Sequence, residues 1–189
     1  MITIVNAYYM IAIVVWLTLL FTFISVLRSK VPGKIFFTLP IGMALFTVPI
    51  YTAFVSAETY FPAMLFDGIY FICTDFLGLF MLLFIVSYTW KYRALKPSIF
   101  IFSPLVLVDS VSLIVNAWTR HSFNLTKIVT ETEIEYWSCE FTSLHYIHLA
   151  FCYAMVMFSL VLLVHAIVDC PYGYKYKYVS LFVAFIVVI

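Results

Sequence analysis

Five apolar stretches, each long enough to cross a bilayer, dominate this chain: about Tyr8 to Leu27, Ile35 to Val55, Met64 to Tyr88, Ser98 to Ala117 and Leu144 to Val168. A helix rising about 1.5 Å per residue needs about 20 residues to traverse ~30 Å of hydrocarbon. A sixth run, Val179 to Ile189, has eleven residues and would cover only ~16 Å. A helix cannot end at mid-bilayer with its carbonyls unsatisfied, so this run reads as the start of a sixth helix and the chain as a fragment. Inside lipid only helices and closed barrels satisfy their own backbones, and the ten-residue alternation of a barrel is missing from these runs. The expected fold is therefore all-α: a polytopic helical membrane bundle of five complete transmembrane helices plus the start of a sixth, with residues 1–189 forming one transmembrane domain.

The loops set the orientation. Basic residues crowd the odd-numbered ones: Arg28, Lys30 and Lys34 in the first, Lys91, Arg93 and Lys96 in the third, Lys175 and Lys177 in the fifth. The other side holds only Arg120 and Lys127, both in the long fourth loop, so the tally is eight against two. By the positive-inside rule the odd loops are cytoplasmic and the N-terminus is outside. The fourth loop also carries Glu131, Glu133, Glu135 and Glu140, which bear little on topology. Nothing basic precedes the first span and no small-x-small site follows it, which argues against a removable signal peptide. Composition agrees: 66% of residues are hydrophobic and 10% charged, against the quarter charged in a soluble domain. A net charge of +1 gives no footing for a nucleic-acid partner; the bilayer is the expected one. Tyr and Trp gather at the expected interfaces, among them Tyr8, Tyr60, Tyr88, Trp90, Trp118, Trp137 and Tyr178.

Function has to be sought where polar side chains persist in hydrocarbon, because each is costly there unless paired or wet. Asp67, Phe71 and Asp75 recur at i, i+4 and i+8, so both carboxyls share one face of the third helix, which Gly78 extends and opens to close helix approach. Asp109, Ser112 and Asn116 form a stripe on the fourth, five residues after Pro104, whose missing donor is expected to kink the helix. His145, His148, Cys152, Met155 and Ser159 share one face of the fifth. For Ser112, Asn116 and Ser159 the favoured reading is hydrogen-bonded glue between helices. Asp75 and Asp109 divide between glue and a functional role, since no lysine or arginine lies within a complete span to neutralise them. His145, His148 and Cys152 at i, i+3 and i+7 would offer two imidazoles and a thiolate to zinc or copper, with Met155 as a softer fourth ligand. A lone HxxH carries little specificity, and the reading kept is no metal: two interfacial histidines bonded to headgroups or to the outer loop. His121 and His165 lack partner spacing and read as structural. Cys139 alone lies in the outer loop, so no disulfide framework is indicated, and the sequon at Asn124 has little weight. No GxSxG, HExxH, CxxC or phosphate-binding glycine loop occurs, so neither an enzyme nor a cofactor is expected within these residues.

With helix order and loop chemistry in place, the chain resembles the N-terminal seven-transmembrane sensory region of bacterial histidine kinases, a module that also heads membrane diguanylate cyclases of the GGDEF type. Arg28 to Phe37 (RSKVPGKIFF) is similar to the family's basic, proline-glycine turn before helix two. Phe71 to Arg93 resembles helix three with its phenylalanine-rich exit, Ser103 to Leu125 helix four with Asn116 followed by His121, and Leu144 to Val164 helix five. The resemblance implies a bacterial, multi-pass cell-membrane protein that senses a small molecule or a membrane condition, commonly as a homodimer. It implies a seventh helix and a cytoplasmic kinase or cyclase domain outside this sequence. Pro40, Pro49 and Pro104 would let two packings lie close in energy. The polar faces of Asp67, Asp75, Asp109, Ser112, Asn116, His145 and His148 are where a stimulus would act. The rival reading is a proton- or cation-coupled transporter or channel subunit with Asp75 and Asp109 on its path.

Overall fold

The computed structural model describes residues 4–30, 33–89, 92–130 and 135–188. Trp90, Lys91, Glu131, Glu133 and Ile189, which figure in the sequence argument, lie outside them. Six α-helices follow in chain order: α1 Ile4–Arg28, α2 Ile35–Val55, α3 Tyr60–Tyr88, α4 Tyr92–Thr119, α5 Ser143–Asp169 and α6 Lys175–Val188. The first five are long and apolar enough to cross a membrane. α3 begins at Tyr60, four residues before the expected Met64. Pro62 then falls in the first helical turn, where a missing N–H interrupts no intrahelical bond.

α3 is the axis of the bundle, packed against α2, α4 and α5, while α1 lies against α2 and α6 against α5. Three core clusters run down it. At one end Met64 meets Leu113 and Phe123; in the middle Leu79 and Leu83 meet Val106 and Met155; at the other end Phe84 and Ile85 meet Leu163 and Phe185. Gly68 brings α3 nearest to α4: a Cβ there would stand 3.1 Å from the Leu113 carbonyl oxygen. Gly78, the glycine singled out by sequence, faces the flexible end of Met155 on α5 instead. The helices continue through Pro40, Pro49, Pro97 and Pro104. Pro49 has no N–H for the Leu45 carbonyl, and the Trp16 indole of α1 donates to that oxygen instead, at 3.1 Å.

Between α4 and α5 stands an antiparallel hairpin that the sequence reading treated as plain loop: β1 Phe123–Val129 paired with β2 Glu135–Phe141 in the register Phe123↔Phe141 to Val129↔Glu135. Alternation decides which face goes down. Phe123 and Leu125 are buried, with Cys139 and Trp137 packed alongside, while the other face carries Thr126 bonded to Glu140. Lys127 pairs with Glu135 across the strands. The Trp137 indole donates to Ala57 O at 2.7 Å, and Tyr9 of α1 bonds Ser56, so the start of α1, the α2–α3 turn and the hairpin gather at one end. At the opposite end Lys177 lies over the Tyr88 ring, and Lys34 caps the Leu27 carbonyl of α1. The basic turns therefore share the end away from the hairpin.

Candidate functional site

The carboxyl groups of α3 and α4 turn inward. Asp75 is fully buried, Asp67 is 4% exposed, and the Asp109 side chain is 21% exposed. Their partner is a histidine rather than a lysine or arginine. His148 of α5 donates from Nδ1 to Asp109 Oδ2 at 2.6 Å, and the same nitrogen lies 3.7 Å from Asp75 Oδ1. One ring proton thus faces two carboxyls held by two other helices. Cys152, one turn along α5, donates its thiol to Asp75 Oδ1 at 3.0 Å and stands 3.8 Å from His148 Nε2. Asp75 Oδ2 is buried with no hydrogen-bond partner among the described residues.

This cluster lies beside a cavity of about 530 Å³ between α4 and α5, lined in part by Asp109, Ser112 and His148. A larger cavity, about 620 Å³, opens among α2, α3, α5 and α6. Its hydroxyls, Thr74 and Ser159, bond the Phe71 and Met155 carbonyls of their own helices. That space offers shape without chemistry, and the polar cluster is the better candidate site.

The remaining expected residues divide. Ser112, Asn116 and Ser159 were expected to bond across helices, and they do not. Ser112 bonds His121 Nε2 at 2.8 Å, which gives His121 a partner its spacing had not suggested. Asn116, wholly buried, accepts the Ser122 and Phe123 amides at 2.7 and 3.3 Å and donates to Phe123 O at 3.0 Å. It fixes the hairpin to the end of α4. Asp67 sits under the hairpin beside Cys139, eight positions from Asp75 on the same face but apart from the cluster. Burial first, and then the Asp67 carboxyl, push the Cys139 thiol up to about 12. His145 corrects the interfacial reading: it is 1% exposed, stacked on Phe141 at 4.0 Å, and neither ring nitrogen has a hydrogen-bond partner among the described residues. His165 pairs with Asp169. Sequence missed Cys152 as a partner of Asp75, and missed the hairpin, whose alternation from Phe123 onward was its available signal.

No curated protein and no solved structure matches the chain. Residues 8–189 match the family described as the N-terminal 7TM region of histidine kinase. The match takes in all six helices, so this multi-pass membrane chain belongs to the N-terminal seven-transmembrane regions of histidine kinases.

Proposed function

We propose that the chain is the membrane-embedded input region of a signalling protein, relaying a stimulus to a cytoplasmic histidine kinase or diguanylate cyclase domain. The basic turns face the cytoplasm and the hairpin end faces outward, as the eight-to-two charge asymmetry implies. The protein acts in a bacterial membrane as a homodimer.

The observation that carries this reading is the meeting of three helices at one shared proton. His148 holds Asp109 at 2.6 Å and stands off Asp75 at 3.7 Å. A shift of about 1 Å between α3 and α4 would exchange the two partners, and packed interfaces change in such discrete steps. A ligand that favours one pairing shifts the population, and its differential affinity sets how far. α5 carries the change to α6, which packs on its far end through Leu163 and Phe185.

The test is Asp109→Asn and His148→Gln in the intact protein, with stimulus-dependent kinase or cyclase output as the readout. A coupling of 1–3 kcal/mol corresponds to about 5- to 150-fold in effector affinity, so a shift of about tenfold in the response midpoint is expected. Unchanged response curves for both variants would defeat the reading. Asp75-dependent proton uptake into vesicles would favour the transporter instead.

A further inference from the structure

We propose that Asp75, His148 and Cys152 bind a divalent transition-metal ion of zinc-like, borderline character, with Asp109 orienting the imidazole. This deepens the sensory reading by naming the ligand of the same cluster. Its role rests on that reading; its chemistry does not.

Four observations converge. A carboxylate oxygen, an imidazole nitrogen and a sulfur lie within 4.8 Å of one another. Two of the edges, Sγ to Asp75 Oδ1 at 3.0 Å and Sγ to His148 Nε2 at 3.8 Å, bracket the ~3.5 Å donor separations of a four-coordinate zinc with bonds of about 2.0 Å to N or O and 2.3 Å to S. His148 Nδ1 already donates to Asp109, which leaves Nε2, the nitrogen nearer Cys152, as the lone pair. A ligating histidine is ordinarily held in this way, its other N–H on a carboxylate. Asp75 Oδ2 is fully buried and makes no hydrogen bond among the described residues, so the carboxyl has an oxygen to spare for coordination.

Charge balance fits as well. A dication meeting one carboxylate and one thiolate is neutral over its ligands, which suits a low-dielectric site. Binding releases the Cys152 thiol proton, the one now donated to Asp75, to solvent. Three protein ligands leave a fourth position, and the α4–α5 cavity reaches one of them, His148, together with Asp109. The set differs from the sequence-derived one: Asp75 replaces His145, whose ring is stacked against Phe141.

Purified protein in detergent is titrated with Co²⁺ and then competed with Zn²⁺. The expected result is one equivalent of cobalt per chain, a thiolate-to-cobalt charge-transfer band, four-coordinate d–d bands, and displacement by zinc. Cys152→Ser should abolish the charge-transfer band, and Asp75→Asn should weaken binding at least tenfold. Asp109→Asn should weaken it about 10- to 100-fold while leaving the band in place at saturation. Cys73→Ser, a buried thiol outside the cluster, should leave both unchanged. A wild-type protein with no thiolate band, or a band that survives Cys152→Ser, overturns the proposal without reference to any variant's folding. Measuring output from the intact protein after chelation separates the two readings: metal bound but output unaffected removes its sensory role, while stimulus-dependent output from a protein that never binds metal leaves the sensory reading intact.

Discussion

The α1–α2 pair keeps its hydroxyls mostly on its own turns, whereas the α3–α4–α5 group adds to such local bonds a polar cluster shared between helices. In α1 the hydroxyls of Thr18, Thr22 and Ser25 each bond the carbonyl four residues back, and Thr47 and Thr52 do the same in α2. Each has a partner within its own turn. In the other group Asp75, Asp109, His148 and Cys152 find the partners they have only when three helices are assembled. Burial follows the same division: none of the most apolar window of α1 is buried, against 44% of that of α3. Local satisfaction makes a helix that tolerates lipid on most sides. Shared satisfaction makes helix positions interdependent, which is what a switch requires.

The sharpest way to break this contrast is at His148. Replacing it with Phe keeps the volume and removes the only described partner that Asp109 has on α5. Stranding a carboxyl by removing its hydrogen-bond donor costs about 3 kcal/mol, more than for an uncharged group. Unfolding of the variant by SDS titration in mixed micelles should show a loss of that size, whereas Thr22→Val on α1 should change stability by less than about 0.5 kcal/mol. Equal small losses would mean that the α3–α5 polar groups are no more interdependent than the hydroxyls of α1.

Asn116→Ala comes next, at about 2–3 kcal/mol, because it strands the Ser122 amide and the Phe123 carbonyl at a wholly buried position. Amide exchange of β1 should quicken in the same variant. Asn116→Asp sharpens the point: it keeps the acceptor for the two amides but sets a buried carboxyl against Phe123 O, so its loss should grow as rising pH ionises that carboxyl.

These residues also show how far the sequence reaches. Spans and basic turns were legible because lipid imposes length and charge rules that act along the chain, and five helices lie where the apolar runs placed them. Asp75 and Asp109 were legible as inward groups because an acyl-tail environment excludes them. Their common partner was not, since it depends on the rotation of α5, which sets His148 on Asp109 and His145 on Phe141 although three residues separate them. Asn116 looked like helix glue because its bond to the hairpin requires knowing that a hairpin exists. Gly78 stood out by extending the aspartate face, yet the closer backbone approach occurs at Gly68, nearly three turns away.

Gly68 and Gly78 give the third test. A Cβ at Gly68 would meet backbone, the Leu113 carbonyl, and moving it means moving α4. Gly68→Ala should therefore cost about 1–3 kcal/mol, as overpacking does. At Gly78 the obstacle, 3.2 Å away, is the terminal methyl of Met155, which can rotate aside. Gly78→Ala should cost less than about 1 kcal/mol, because the gain of alanine over glycine in a helix offsets part of the contact.

The smallest effect tests the α1–α2 side on its own terms. Trp16 reaches across that pair, its indole on the Leu45 carbonyl that Pro49 leaves open. Trp16→Phe removes that donor while keeping an aromatic ring, and hydrogen bonds between membrane helices average about 0.6 kcal/mol. The double variant with Pro49→Ala restores a backbone N–H to Leu45 O, so the loss from Trp16→Phe should vanish in that background. Additive losses would mean that the Trp16 bond is incidental to the proline. A cycle that closes near zero would show that even on the lipid-tolerant side, an unsatisfied carbonyl is what recruits a neighbouring helix.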